Sequence, residues 1–249
     1  MSMSRLYVLA ALSLTCATGC ITSPFGGGQE PDPEPPEMIE PELTSAHLRG
    51  VTNLVTFDGR HVGFHAVGEF VLAEALAGAP LMVQVRQREL ESTRCEGLAV
   101  VDAVAARVGS QRVVFELERG VFVDGQPISL EQPDTFALEQ GNLARGDDGS
   151  WALEWPDATT LEVTFATGRL DLTLGVPESR GGFLGGLLGT FDGNPANDLV
   201  TRAGEAQTEP ISWNDFYRGW ADSWRVTQDE ALFEYLPLET TDDYTNRAL

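Results

Sequence analysis

The chain has 249 residues and a formal net charge of -22, from 38 acidic and 16 basic residues. Every basic residue is arginine; there is no lysine. Such a chain is repelled by phosphates, which argues against nucleic acid as a partner, and its 42% hydrophobic content suffices for a full core.

Arg5 precedes an apolar run, Leu6 to Leu14. That run is too short to span a bilayer and has the length of a signal-peptide core. The small residues Ala17 and Gly19 fit ordinary signal-peptidase cleavage. From Ile21 to Glu42 proline, glycine and acids dominate, as in Pro31-Asp32-Pro33-Glu34-Pro35-Pro36. Proline favours extended backbone and like charges stretch it, so this stretch is expected to be a tether. Of the three cysteines, Cys16 lies in the signal and Cys20 at its end. Cys95 is then the one ordinary thiol, expected as a small buried residue, and an internal disulfide framework is excluded.

From Leu48 onward the pattern is that of strands. Leu81, Val83 and Val85 alternate with Met82, Gln84 and Arg86. Val113, Phe115 and Leu117 alternate with Val114, Glu116 and Glu118; Trp151, Leu153 and Trp155 with Ala152 and Glu154. Leu161, Val163 and Phe165, and then Leu170, Leu172 and Leu174, repeat the pattern. Period two with one apolar face predicts half-buried antiparallel strands. Asp124-Gly125 and Gly146-Asp147-Asp148-Gly149 supply hairpin turns, so a mainly β, sandwich-like or barrel domain is expected.

The stretch Gly189-Thr190-Phe191-Asp192-Gly193-Asn194-Pro195-Ala196-Asn197-Asp198 carries oxygen side chains at every second position and then a polar pair. Such oxygens can converge on a hard cation such as calcium, with Gly193 permitting the bend. Asp-Gly-Asn-Pro is also ordinary turn chemistry, and on spacing alone both readings stand. After this loop, Ser212 and Asp215 make a capping-box arrangement for a short amphipathic helix. Trp213, Phe216, Tyr217, Trp220 and Trp224 fall on one face of it and are expected to pack in the core.

His61, His65 and Glu69 share i, i+4, i+8 spacing, which gathers ligands only on a helix. Gly63 and Gly68 point to strands, where four residues separate side chains by about 13 Å, so no zinc site is assigned. No nucleophile–base motif, phosphate loop or dinucleotide fingerprint is present, and no catalytic residue is assigned.

Several motifs in order resemble the von Willebrand factor type D domain. Gly186-Leu187-Leu188-Gly189-Thr190-Phe191-Asp192-Gly193 through Asn197-Asp198-Leu199 is similar to its signature loop. Thr56-Phe57-Asp58-Gly59 followed by Gly68-Glu69-Phe70-Val71-Leu72 is similar to its opening strands. Leu188 stands at the family's signature cysteine, Thr190 at its asparagine, and Gly50-Val51-Thr52-Asn53 replaces the Gly-Asp-Pro-His start of self-cleaving members. The resemblance implies a calcium site with side-chain ligands Asp58, Asp192, Asn194, Asn197 and Asp198 and the Ala196 carbonyl. It implies a non-enzymatic structural or adhesive interaction module whose partner is a protein, a surface polymer or its own copies. A secreted hydrolase with an unrecognised site and a metal-free envelope protein are the alternatives.

Ala17-Thr18-Gly19-Cys20 resembles the lipobox of bacterial lipoproteins, with Ala17 where leucine is usual. This implies lipidation at Cys20 and a membrane-anchored place in the bacterial cell envelope, with the outer membrane expected. Secretion after ordinary cleavage is the alternative. The expected organisation is a signal over 1–19, anchor and tether over 20–45, a type D-like domain over 46–226 and a docking segment or tail over 227–249.

Overall fold

The computed structural model describes residues 41–90, 97–207 and 209–246. The signal core, Cys16, Cys20, Cys95 and the tether up to residue 40 lie outside the described residues.

The chain opens with β1 (Leu43–Arg49), β2 (Asn53–Val55) and β3 (His61–Gly63). It crosses to a second layer for β4 (Gly68–Ala75), β5 (Met82–Glu89) and β6 (Ala99–Val108). The same layer continues with β7 (Gln111–Glu116), β8 (Gly120–Val123) and β9 (Gln126–Ile128). The chain then returns for β10 (Asp134–Leu138), β11 (Gly141–Arg145) and β12 (Trp151–Glu154). After β13 (Thr160–Ala166) and β14 (Arg169–Pro177), a short β15 (Leu184–Gly185) rejoins the second layer beside β4. The first sheet is eight-stranded, ordered β10-β11-β12-β13-β14-β1-β2-β3; the second is seven-stranded, ordered β15-β4-β5-β6-β7-β8-β9. β1 begins at Leu43, paired with Pro177, so the last residues assigned to the tether already belong to the sheet.

The alternation sets the inner faces. Leu153, Leu161, Val163, Leu170, Leu172 and Leu174 of the first sheet are buried, as are Val83, Val85, Val104, Val113 and Phe115 of the second. The rings of Phe115 and Trp151 meet edge to face at 6.4 Å, and the Trp155 indole donates to the Arg107 carbonyl at 2.9 Å. The expected turns are present: Asp124 and Gly125 have φ of 49° and 76°, as a two-residue type I′ hairpin requires, and Gly146 N–H donates to the Ser150 carbonyl at 2.8 Å.

The second sheet departs from the half-buried expectation. Gln84 and Arg86 of β5 are buried although polar. The cause is the segment after Val226, which lies over the outer face of the sheet. Leu232 and Phe233 pack on Ala103, Ala105 and Val114. The Gln84 side chain donates to the Glu230 carbonyl at 2.9 Å and accepts from Leu232 N–H at 2.8 Å. Arg86 donates to the buried Glu69 carboxylate at 2.7 Å, and the Tyr235 hydroxyl donates to the same carboxylate. Tyr244 stacks over the Arg86 guanidinium at 3.6 Å. Asp102 lies on the same face beside Arg86 and Arg88; burial pushes its carboxyl up to about 6 despite both cations.

Ser212 and Asp215 meet as the sequence implied, with Asp215 N–H donating to the Ser212 hydroxyl at 3.1 Å. The helix they open spans residues 213–223, but its centre, Asp215–Ala221, is a π-helix. The wider turn rotates the aromatic stripe. Trp220 and Trp224 are buried, while Trp213 is 53% exposed, contrary to the expectation that all five pack in the core.

After β15 the backbone runs flat against β4. Leu187 and Leu188 N–H donate to the Val71 and Leu72 carbonyls at 3.2 and 3.1 Å. Gly186 makes this approach possible: its φ is 121°, and a Cβ there would sit 2.5 Å from the Leu72 carbonyl oxygen. Gly186→Ala is expected to destabilise the fold by about 2–3 kcal/mol, since backbone strain and a backbone clash combine. Gly59→Ala, where a Cβ meets open space, should cost about 1 kcal/mol. Urea unfolding of both variants measures the difference.

Asp102 generates a second expectation. Its folded-state pKa is raised above the unfolded 3.8, so the folded state binds this proton more tightly. The associated stability is present below about pH 4 and is lost as pH rises through about 6. Asp102→Asn should therefore melt close to the parent near pH 4 and above it at pH 7–8, measured by melting both across pH.

Candidate metal centre

Two distant segments meet at one end of the sandwich. The first is the turn between β2 and β3. Thr56 N–H donates to the Arg60 carbonyl at 3.0 Å, Gly59 N–H to the Thr56 carbonyl at 3.1 Å, and Arg60 N–H to the Thr56 hydroxyl at 2.9 Å. The second is the polar loop after Gly186. Phe57 N–H donates to the Leu188 carbonyl at 3.1 Å, and the Phe57 and Phe191 rings lie 5.6 Å apart.

Asp58 locks the two together. Its carboxylate accepts from the N–H groups of Asp192 at 3.1 Å and Gly193 at 3.0 Å. Inside the loop, Asp192 accepts from Asn194 N–H at 3.0 Å and from the Asn197 side-chain amide at 2.8 Å. Asn194 caps a 3-10 turn, Pro195–Asn197, by accepting from Ala196 N–H at 3.2 Å. The Ala196 carbonyl receives the Arg60 guanidinium at 3.3 Å, as does the Pro195 carbonyl, and Arg60 also pairs with Glu209. A cationic donor therefore already sits on the one backbone oxygen that the resemblance assigned as a ligand.

Asp198 lies deepest, 1% exposed, and accepts from the Thr56 hydroxyl. Burial, and then the nearby Asp58 carboxylate, push its carboxyl up to about 6, while the Thr56 hydroxyl and the Thr190 backbone oppose the rise. Its Oδ1 completes no hydrogen bond of normal geometry, and the same holds for Asn197 Oδ1 and Thr190 Oγ1, all three buried. Gly189 leaves room for this carboxylate: a Cβ at that position would stand 2.3 Å from Asp198 Oδ1.

Among the described residues no three His, Cys, Asp or Glu side chains gather as a metal-holding group. The centre is instead a mixed set of carboxylate, amide and hydroxyl oxygens. Oxygen-only donors with buried, unpaired lone pairs fit a hard cation such as calcium and do not fit zinc or copper, which favour nitrogen and sulfur. Asp58 and Asp198 are the two assigned carboxylates that interact directly. Asp192 and Asn197 bond to each other, Asn194 is spent on the turn, and the Ala196 carbonyl faces Arg60. Thr56 and Gly189 were not assigned from the sequence. Both stand inside the quoted motifs, but neither carries a charge to mark it. The histidine series is dispersed: Glu69 serves Arg86 and Tyr235, His65 shares a hydrogen bond with Thr52 at 2.9 Å, and His61 is exposed.

The von Willebrand factor type D domain model matches residues 47–205, more than half of the chain. Human sushi domain-containing protein 2 is 30% identical over 207 residues, covering 78% of this chain and 24% of that protein. Bovine SCO-spondin is 27% identical over 64% of this chain, and human zonadhesin 26% identical over 73%. Those matches take up 3% and 6% of the two relatives, so the chain spans a quarter or less of each of the three. The chain belongs to the von Willebrand factor type D domain family.

Proposed function

We propose that this chain is an exported, membrane-tethered module with a structural or adhesive role, stabilised by calcium between Asp58 and the loop over residues 190–198. The observation that carries the metal reading is the buried Asp198 carboxylate set against the Asp58 carboxylate, in a loop where the Thr190 hydroxyl and the Asn197 amide oxygen are buried without a hydrogen-bond partner. A cation there supplies the counter-charge that two neighbouring carboxylates lack. Asp58, Asp192, Asn194, Asn197 and Asp198 are the residues that would hold it, with the Ala196 carbonyl shared with Arg60. Membership of a family of structural and adhesive rather than catalytic modules supports a non-enzymatic role. The partner is a protein, a surface polymer or a second copy.

Calcium in the range of about 10⁻⁴ to 10⁻³ M is typical of extracellular modules. At millimolar calcium and the tighter end of that range, linkage adds about 1.4 kcal/mol, or about 3–6 °C in melting temperature. The measurement is a thermal melt of the full chain in chelator and in millimolar calcium. Asp58→Ala and Asp198→Ala are expected to abolish the shift. No shift in the parent chain sinks the site. A full shift retained by Asp58→Ala alone means that the loop binds without the long-range tie.

The export reading rests on the signal-like start and the small residues before Cys20. The tether reading places the attachment at a lipid on Cys20, at the end of Ala17-Thr18-Gly19-Cys20. Intact-mass spectrometry of the mature N-terminus should show a diacylglyceryl-modified Cys20. An unmodified terminus, at Cys20 or elsewhere, overturns the anchor.

A further inference from the structure

After Tyr235 the tail that covers the second sheet makes a tight turn, Leu236-Pro237-Leu238-Glu239, before Tyr244 meets the sheet again. Glu239 N–H closes the turn on the Leu236 carbonyl at 3.0 Å. Leu238 stands at the third position with φ of 81°, where such turns take glycine or asparagine. It is 100% exposed, and Leu236 beside it is 63% exposed. A lone exposed leucine is ordinary. A leucine held in the left-handed region with no contact to repay the strain is not, and such strain persists only where the surroundings impose it. Here they do. Pro237 fixes the preceding φ, and the Glu239 carboxylate accepts from Leu236 N–H and from the Tyr244 hydroxyl, each at 2.9 Å. Tyr244 in turn is clamped over Arg86. The two leucines are therefore presented on a rigid support.

Leu236, Glu239 and Tyr244 form one wall of a groove of about 410 Å³, whose other wall includes Glu116, Glu118 and Arg119. The arginines in it are already matched: Arg86 with Glu69, Arg88 with Asp102 at 3.9 Å, Arg119 with Glu116 at 2.8 Å. Glu118 is exposed and carries no ion pair among the described residues, so the uncompensated charge of the groove is negative. A second copy of this chain, at -22 and without lysine, is the wrong partner for it.

We propose that the Leu236–Glu239 turn and this groove form a docking surface for a basic protein segment that carries apolar side chains. The leucines take the apolar contacts, and Glu118, the groove carboxylate that is exposed and carries no ion pair among the described residues, takes lysine or arginine. This rests on the interaction-module reading above and supplies the chemistry of its partner.

The test uses the full chain and a fluorescent peptide of four Leu-Lys repeats, with Ser-Lys repeats as control, read by anisotropy at physiological salt. Leu-Lys is expected to bind at least about tenfold more tightly than Ser-Lys, because two buried leucines are at stake. Leu236→Ser with Leu238→Ser should weaken Leu-Lys binding by at least about tenfold, and Glu118→Gln by about threefold. Equal binding of the two peptides, or binding unchanged in the double variant, means general attraction to an acidic protein and overturns the proposal. So does the absence of binding. Leu238→Gly separates structure from recognition: it should leave the melting temperature unchanged or higher while weakening the peptide. A lower melting temperature makes Leu238 a structural residue and also overturns the proposal. Every variant should keep its calcium-dependent shift, so failure here is distinguishable from failure of the calcium site.

Discussion

The Asp58 carboxylate, held by the N–H groups of Asp192 and Gly193, is the contact on which the functional end of the molecule depends. The two partners are more than 130 positions apart in sequence. One belongs to a turn of the first sheet, the other to a loop that lies on β4 of the second. Hydrogen bonds to a charged acceptor are about twice as strong as neutral ones. They act together with the Thr56 hydroxyl on Asp198 and the Arg60 guanidinium on the Pro195 and Ala196 carbonyls, so one turn of the first sheet sets the position of the loop. The cost is electrostatic. Asp58 brings a negative charge next to Asp198, which is already removed from water.

The second sheet solves a different problem. Its outer face carries Glu69, Gln84 and Arg86, all buried. A buried ion pair contributes little net stability, because desolvation opposes the attraction, yet removing one partner is costly. Its value is in geometry. Arg86 has one arrangement that satisfies Glu69 and leaves its flat faces to Phe233 and Tyr244. The family model ends at residue 205, whereas the helix, the strand-like Trp224–Val226 contacts on β4 and the covering tail all come later. The chain therefore closes its own second sheet with residues that the family pattern does not describe.

Most of the layer architecture was legible in the sequence, because Leu161, Val163, Leu170, Leu172 and Leu174 alternate with polar residues that do face solvent or sheet edge. The alternation cannot say what covers the polar side, so the burial of Gln84 and Arg86 was not foreseen. The helix start was legible from Ser212 and Asp215, and its inner stripe was misjudged at Trp213 because a 3.6-residue period was assumed where a π-helix forms. The resemblance named Asp58 and the loop residues, and Asp58 does meet the loop. Thr56, Gly189 and Arg60 were missed for physical reasons. A hydroxyl, an absent side chain and a cation on a carbonyl matter only after the two segments have met.

The place of β1 in the first sheet has a consequence for how the molecule comes into being. β1 pairs with β2 on one side and with β14 on the other, where Leu48 faces Leu172. Its hairpin partner follows within a few residues, but its second neighbour is the last long strand to be made. Synthesis proceeds at about 5–20 residues per second, so one edge of β1 stays open for on the order of ten seconds. During that interval a row of unpaired backbone groups beside Ala46 and Leu48 is a template for any other extended chain. Non-local pairing of this kind also slows folding, since the loop must close before the contact rewards it. The sequence just upstream of that open edge is acidic over residues 30–42, and like charges there repel a second nascent copy while the sheet waits for its final strand.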